Sequence, residues 1–245
     1  MRKLYISLFL GISQTLLAWS INPVIKNLSC EKPQSTFEII ANKEESPVAI
    51  ECSIADREIA IDGTETETKN SKDFIIYPSH CILQPGQRRV IRIVWKGKSD
   101  IKEEKAYRFI AENLPVDFTK HVDEEEGRVH ACISMAFRSL ASVYIVPKKV
   151  FHKMQCTFLK IEEKEGHKMM ALEFSNLGNQ HMLLINHAVE VRSASGKCLT
   201  FSKKEVAEMC QVQYNILPNH KRVILFPLKD PFPQNEKVTV SLINE

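Results

Sequence analysis

Glycine is scarce, with 8 in 245 residues, and no Gly-x-x-x-x-Gly-Lys loop, Gly-x-Ser-x-Gly elbow or His-Glu-x-x-His pair occurs. The phosphate cradle, the hydrolase nucleophile turn and the zinc-protease helix therefore have no carrier in this chain. A surplus of one charge is also missing. Lys+Arg number 33 against 30 Asp+Glu, a formal net charge of +3, which gives no global case for nucleic acid or an anionic membrane as partner. The seven cysteines contain no Cys-x-x-Cys, which speaks against zinc ribbons and thioredoxin-like chemistry. His152 and Cys156 are four apart, as are His130 and Ser134, but that spacing in β structure does not gather metal ligands. The acidic run from Asp123 to Glu126 reads as a solvated loop. No catalytic residues, metal or cofactor are expected.

What is present is an ordinary globular balance, 44% hydrophobic and 26% charged, over a length that suits one or two domains. The first 20 residues stand apart. Arg2 and Lys3 precede an apolar run from Leu4 to Leu17, and Ala18 and Ser20 are small residues suited to a signal peptidase. Ser13, Gln14 and Thr15 interrupt the run, so a membrane-spanning helix is not expected, and no later stretch is apolar enough to span. Residues 1–20 are read as an export signal cleaved after Ser20. Export makes disulfides possible, yet seven cysteines leave at least one thiol over, and their scatter suits buried small hydrophobes better than a disulfide framework. Cys198 and Cys210 are the closest pair in the second half and the expected bridge, if any pair forms one.

The dominant hydrophobic period is two. Val48, Ile50, Cys52 and Ile54 alternate with Ala49, Glu51, Ser53 and Ala55, and Ile91, Ile93 and Trp95 share a face within Arg88 to Trp95. Gln84-Pro85-Gly86-Gln87 has the type II turn order. Phe74 to Tyr77, Ala106 to Leu114 and Val129 to Val146 add further strands, the last being the longest. Short strands between turn signals predict a β-sandwich. Pro147 opens a polar connection, and the shorter β-like runs beyond it predict a second sandwich. Lys203 to Met209 is the one short helix expected.

The ordered succession of these features resembles a known family. Phe74-Ile75-Ile76-Tyr77-Pro78, Leu83-Gln84-Pro85-Gly86-Gln87 and Ile91-Arg92-Ile93, then Glu104-Lys105-Ala106-Tyr107-Arg108, Leu114-Pro115 and Tyr144-Ile145-Val146-Pro147 are similar to the periplasmic pilus-assembly chaperones of the chaperone–usher pathway. The Glu104 to Arg108 run resembles the archaic, spore-coat-like fimbrial branch. Asn42 with Pro47, and Asn176 to His181 with Ile216-Leu217-Pro218, extend the likeness into both halves.

The resemblance implies an all-β chain of two immunoglobulin-like domains, residues 21–147 and 148–245, set at an angle around a cleft. It implies a periplasmic, ATP-independent chaperone, not an enzyme, whose partners are fimbrial or pilus subunits and an outer-membrane usher. The chaperone would donate its long strand to a subunit lacking one, with Ile133, Met135 and Phe137 as the docking face. A subunit carboxylate would meet Lys26 and a second cation. Ser142 occupies the second position, so Arg138 is the nearby substitute. Arg92 and Glu104 would pair between the domains. The alternative reading is an exported immunoglobulin-like adhesion or structural protein that keeps the long strand in its own core. A secreted enzyme on a β-sandwich is the third reading, and it lacks a candidate triad.

Overall fold

The computed structural model describes residues 19–43, 46–69, 72–116, 136–210, 214–228, 231–233 and 236–243. No helix among them is long and apolar enough to cross a membrane.

The first strand is broken by Pro23, which has no N–H to give a ladder. Its two pieces enter different sheets. β1 (Trp19–Asn22) pairs antiparallel with β3 (Gln34–Ala41), while β2 (Ile25–Ser29) runs parallel to β10 (Arg138–Val146). One sheet is ordered β1-β3-β8-β6, with β6 at Phe74–Tyr77 and β8 at Arg88–Trp95. The facing sheet is ordered β2-β10-β9-β4-β5, from β4 (Val48–Ile59), β5 (Glu65–Lys69) and β9 (Lys105–Asn113). In it β7 (His80–Leu83) also pairs with β4. Alternating side chains of both sheets make the first core, including Phe37 stacked on Phe109, Ile39, Ile54, Ile91, Ile93, Val143 and Ile145. Gly86 takes φ +73°, and Gln87 N–H donates to Gln84 O at 2.9 Å, as the type II turn requires. The expected leader boundary after Ser20 cuts through β1, because Trp19 is only 2% exposed and belongs to this core.

The second core lies beyond Pro147. It is built from β11 (Met154–Lys164), β12 (His167–Asn176) and β17 (Lys221–Pro227) in one sheet, and β15 (Cys198–Phe201), β14 (Ala188–Ser193) and β18 (Val238–Ile243) in another. The short pair β13 (Met182–Leu183) and β16 (Asn215–Ile216) lies beside them. The expected helix is α1 (Lys203–Cys210). A capping box starts it: Glu205 N–H donates to Ser202 Oγ at 3.4 Å, and Ser202 N–H donates to Glu205 Oε2 at 2.9 Å.

The Cys198–Cys210 bridge does not form. Strand alternation turns Cys198 outward at the start of β15, whereas α1 carries Cys210 into the second core, and both are free thiols. Burial pushes the Cys210 thiol up to about 12.

Candidate functional site

β10 has two unequal flanks, as β3 and β8 do in the other sheet. On one side β9 accompanies it from Arg138 to Ile145. On the other side β2 accompanies only Ser142 to Val146. Residues 138–141 therefore face no strand on that side among the described residues, and they present an unpaired main-chain edge. The burial changes at the same place. Arg138 and Leu140 are exposed, while 141–145 are buried without a break.

Ile133 and Met135, two of the expected docking residues, lie outside the described residues. Phe137 is half-buried against the rim of the first core, and Asn113 binds it on both sides. Its N–H donates to Asn113 Oδ1, and its carbonyl accepts from Asn113 N–H at 3.1 Å. Arg138 is held by two carboxylates, Glu67 at short range and Glu112 at 3.7 Å, so its charge is already engaged. Lys26 is half-buried on β2, in register with Val143, whereas Ser142 is in register with Ile25. Alternation along the strand thus sets Lys26 and Ser142 on opposite faces of the sheet, and the structure does not bring the two expected anchor positions together.

The cation near Ser142 comes instead from its cross-strand partner on β9, Arg108. Arg108 Nη1 donates to Ser142 Oγ at 2.6 Å, while its Nε and Nη2 grip Glu65 at 2.5 and 2.8 Å. Arg57 on β4 donates to the same carboxylate at 2.9 Å and to the Tyr144 hydroxyl at 2.7 Å. Burial raises the Glu65 carboxyl, but hydrogen bonds from the two guanidiniums overcome this and hold it below its ordinary value. Sequence reading missed this cluster because its members lie on four strands that become neighbours only through the sheet order.

Arg92 and Glu104 do not pair. β8 lies in the other sheet, and its alternation points Arg92 outward into a groove of about 590 Å³ with Tyr77, Ile82, Arg89 and Val90. Glu104 faces the second domain. His181 Nδ1 lies 2.7 Å from Glu104 Oε1, which also accepts the His181 N–H at 3.1 Å, and the His181 ring stacks on Tyr144 with centroids 4.1 Å apart. Asn179 carries the same junction on main-chain groups. Its side chain donates to Lys102 O and Lys149 O at 2.9 and 2.7 Å, and its carbonyl accepts Glu104 N–H at 2.9 Å. Arg222, fully buried, donates to Ala60 O across the junction and to Asn215 O at 2.9 Å. The Asn215 amide donates to the Tyr144 hydroxyl at 2.7 Å, which ties β10 itself to the second domain. The Asn176 to His181 and Ile216 to Pro218 runs singled out in the sequence carry much of this junction.

The geometry is that of two sandwiches clasped by buried polar contacts, with one strand left half open. The comparisons agree with it. A family model described as "Pili and flagellar-assembly chaperone, PapD N-terminal domain" matches residues 27–150. No curated protein matches the chain. Among solved structures, the class 5 fimbriae chaperone CfaA is 14% identical, with 91% of this chain and 98% of that one covered at a TM-score of 0.55. The CsuC–CsuE chaperone–tip adhesion subunit complex of Acinetobacter baumannii is 11% identical, with coverage of 91% and 98% and a TM-score of 0.53. The CupB2 chaperone of Pseudomonas aeruginosa is 13% identical, with coverage of 92% and 93% and a TM-score of 0.51. At such identities these likenesses concern the two-domain fold, and the family match carries the assignment. The chain belongs to the pili and flagellar-assembly chaperones.

Proposed function

We propose that this chaperone caps a fimbrial subunit in the periplasm with the open half of β10 and passes it to an outer-membrane usher. The observation that carries the reading is the half-paired strand: residues 138–141 have β9 on one flank and no strand on the other among the described residues. A subunit lacking a strand can continue the ladder there, taking main-chain hydrogen bonds from the edge and apolar side chains from alternate positions. Phe137 stands at the rim of the core where such a face would begin, with Met135 and Ile133 preceding it at period two.

For the subunit carboxylate, Arg108 is the stronger candidate. It sits beside Ser142, where a second cation was expected, and a subunit carboxylate would take it from Glu65, which keeps Arg57 as its partner. Lys26 stays in the reading as a contact at the β2 edge. The usher needs a different surface. The exposed Ile75, Tyr77 and Val90 on the opposite sheet remain free while β10 is occupied, and Tyr77 is 75% exposed. Membership of the archaic branch rests on the Glu104 to Arg108 run. Export fits the leader-like composition of the first residues, with Arg2 and Lys3 ahead of the apolar run to Leu17.

Co-expression with a candidate fimbrial subunit from the same genome, followed by recovery from the periplasm, tests the reading. The complex is expected with the wild type, weakened with Lys26→Ala, and lost with Arg108→Ala beyond what that variant's own drop in melting temperature accounts for. Recovery of the chaperone alone, correctly exported and folded beside its soluble subunit, would overturn the capping role.

A further inference from the structure

His181 does more than meet Glu104. Its ring lines a pocket of about 430 Å³, whose wall includes His152, Met182, His187, Gln180 and Asn27. No carboxylate and no thiol among the described residues belongs to that wall.

The ring is fixed in three ways. Its Nδ1 lies 2.7 Å from Glu104 Oε1, the main-chain N–H of His181 donates to the same oxygen at 3.1 Å, and the ring stacks on Tyr144 at an interplanar angle of 15°. An ionised carboxylate only accepts, so Nδ1 carries the hydrogen, and Nε2 of the neutral ring keeps its lone pair. The Glu104 side chain is fully buried and takes no part in the pocket wall. A carboxylate on one ring nitrogen is the arrangement that fixes tautomer and direction where the other nitrogen binds a metal ion.

A structural ion pair between the domains would account for Glu104 and His181 alone. Beside them stand a second imidazole and a thioether, each placed by main-chain bonds. Met182 opens β13 in register with Ile216. His152 sits between Phe151 and Lys153, whose carbonyls accept Asn179 N–H at 3.2 Å and Leu177 N–H at 2.8 Å. Gly178 lets this run lie against the loop that leads to His181, since a Cβ there would meet His152 Cα at 3.1 Å and Phe151 O at 2.7 Å. His152 is exposed and Met182 is unbranched, so both can turn toward the fixed Nε2. No three His, Cys, Asp or Glu side chains of the described residues converge for a metal, which sets zinc aside and leaves the set of two histidines and a methionine. All three donors are neutral and one is a soft sulfur, the combination that selects monovalent copper.

We propose that this pocket binds a cuprous ion through His181 Nε2, the His152 imidazole and the Met182 thioether, with Glu104 as the positioning residue for His181. Glu104 belongs to the first domain and the three ligands to the second, so the site depends on their junction.

The test uses the full chain with its accessible thiols alkylated by iodoacetamide, so that cysteine sulfur does not compete. Under nitrogen with ascorbate, copper is titrated against the coloured cuprous chelator bicinchoninate. A single cuprous ion per chain is expected to be withdrawn from the chelator. His152→Ala combined with Met182→Leu should weaken this at least about tenfold at an unchanged melting temperature, and His167→Ala on β12 should not change it. Silver(I), the redox-inert counterpart, supplies a second readout in nitrogen spectra of the histidine rings. It should shift Nε2 of His181 and leave the Nδ1 hydrogen in place. Failure to withdraw copper, withdrawal that the double variant retains, or silver displacing the Nδ1 hydrogen overturns the proposal.

Discussion

The two halves of β10 are continuous in sequence and opposite in character. From Ala141 to Ile145 every residue is buried, and from Ser142 onward the strand has a neighbour on each flank. From Arg138 to Leu140 the strand has one neighbour among the described residues, and its even positions face solvent. The reason is the length and direction of β2. Pro23 ends β1, the chain crosses to the other sheet, and β2 then pairs parallel with β10 only from Ser142 onward. One half is scaffold and the other is available surface, and a neighbour's start point decides which. Substitutions along the strand should therefore change stability and capture in opposite proportions.

The largest effect is expected deep in the closed half. Ile145 is fully buried in the first core, so Ile145→Ala should destabilise the protein by about 2–5 kcal/mol. Chemical denaturation monitored by tryptophan fluorescence gives the number. A cost below about 1 kcal/mol would mean that the closed half is not the scaffold described.

Tyr144 tests whether that half also holds the domains together. Its hydroxyl accepts from Arg57 and from Asn215 of the second domain, each at 2.7 Å. Tyr144→Phe keeps the ring stacked on His181 but leaves two buried donors unsatisfied, at a cost of about 1–3 kcal/mol. If the loss is local to the junction, small-angle scattering should show a broader range of interdomain distances. An unchanged stability and scattering curve would make the Tyr144 hydroxyl irrelevant to the clasp.

Above the boundary between the halves sits the Arg57–Glu65–Arg108 cluster, and its effect is conditional on pH. The folded Glu65 carboxyl lies below its ordinary value of 4.5. Its contribution is therefore present above that value and is lost as pH falls through the folded one. Urea titrations between pH 3 and 6 should show wild type losing more stability on acidification than Glu65→Gln, with the two curves parallel above about pH 5. Identical acid dependence would show that the arginines do not favour the ionised carboxylate.

Much of the architecture was legible because it follows from local rules. Ile91, Ile93 and Trp95 share the buried face of β8 as expected, Pro85-Gly86 closes the expected turn, and Ser202 with Glu205 caps the expected helix. β5 was not legible, since Glu65 to Lys69 contains no apolar residue and is a strand only because β4 offers it a partner. The site was less legible than the fold. Arg108 lies 34 residues from Ser142 and 43 from Glu65, so only the order β5-β4-β9-β10 brings the three together. Arg92 was misassigned for the same reason: β8 belongs to the sheet that faces away from the junction. His181, which takes the expected place of Arg92 beside Glu104, stood within a run already singled out but carried no charge pattern to mark it.

The smallest effect, on stability and on capture alike, is expected at Leu140. It is 37% exposed, lies on the open half, and belongs to none of the buried clusters. Leu140→Ser should change stability by no more than about 0.5 kcal/mol, as for other surface positions. Phe137→Ser is the informative contrast. Its ring packs on the rim of the core and shares the proposed docking face, so it should lose both stability and capture, whereas Leu140→Ser, on the opposite face of the strand, should leave both nearly unchanged. Melts of the free chaperone and recovery of the co-expressed subunit, measured on both variants, separate the outcomes. Loss of capture by Leu140→Ser would instead place the subunit's contact on the side of β10 opposite Phe137. Leu140→Ser with a large loss of stability would show that the open half is core after all, which is the behaviour of an ordinary closed sandwich.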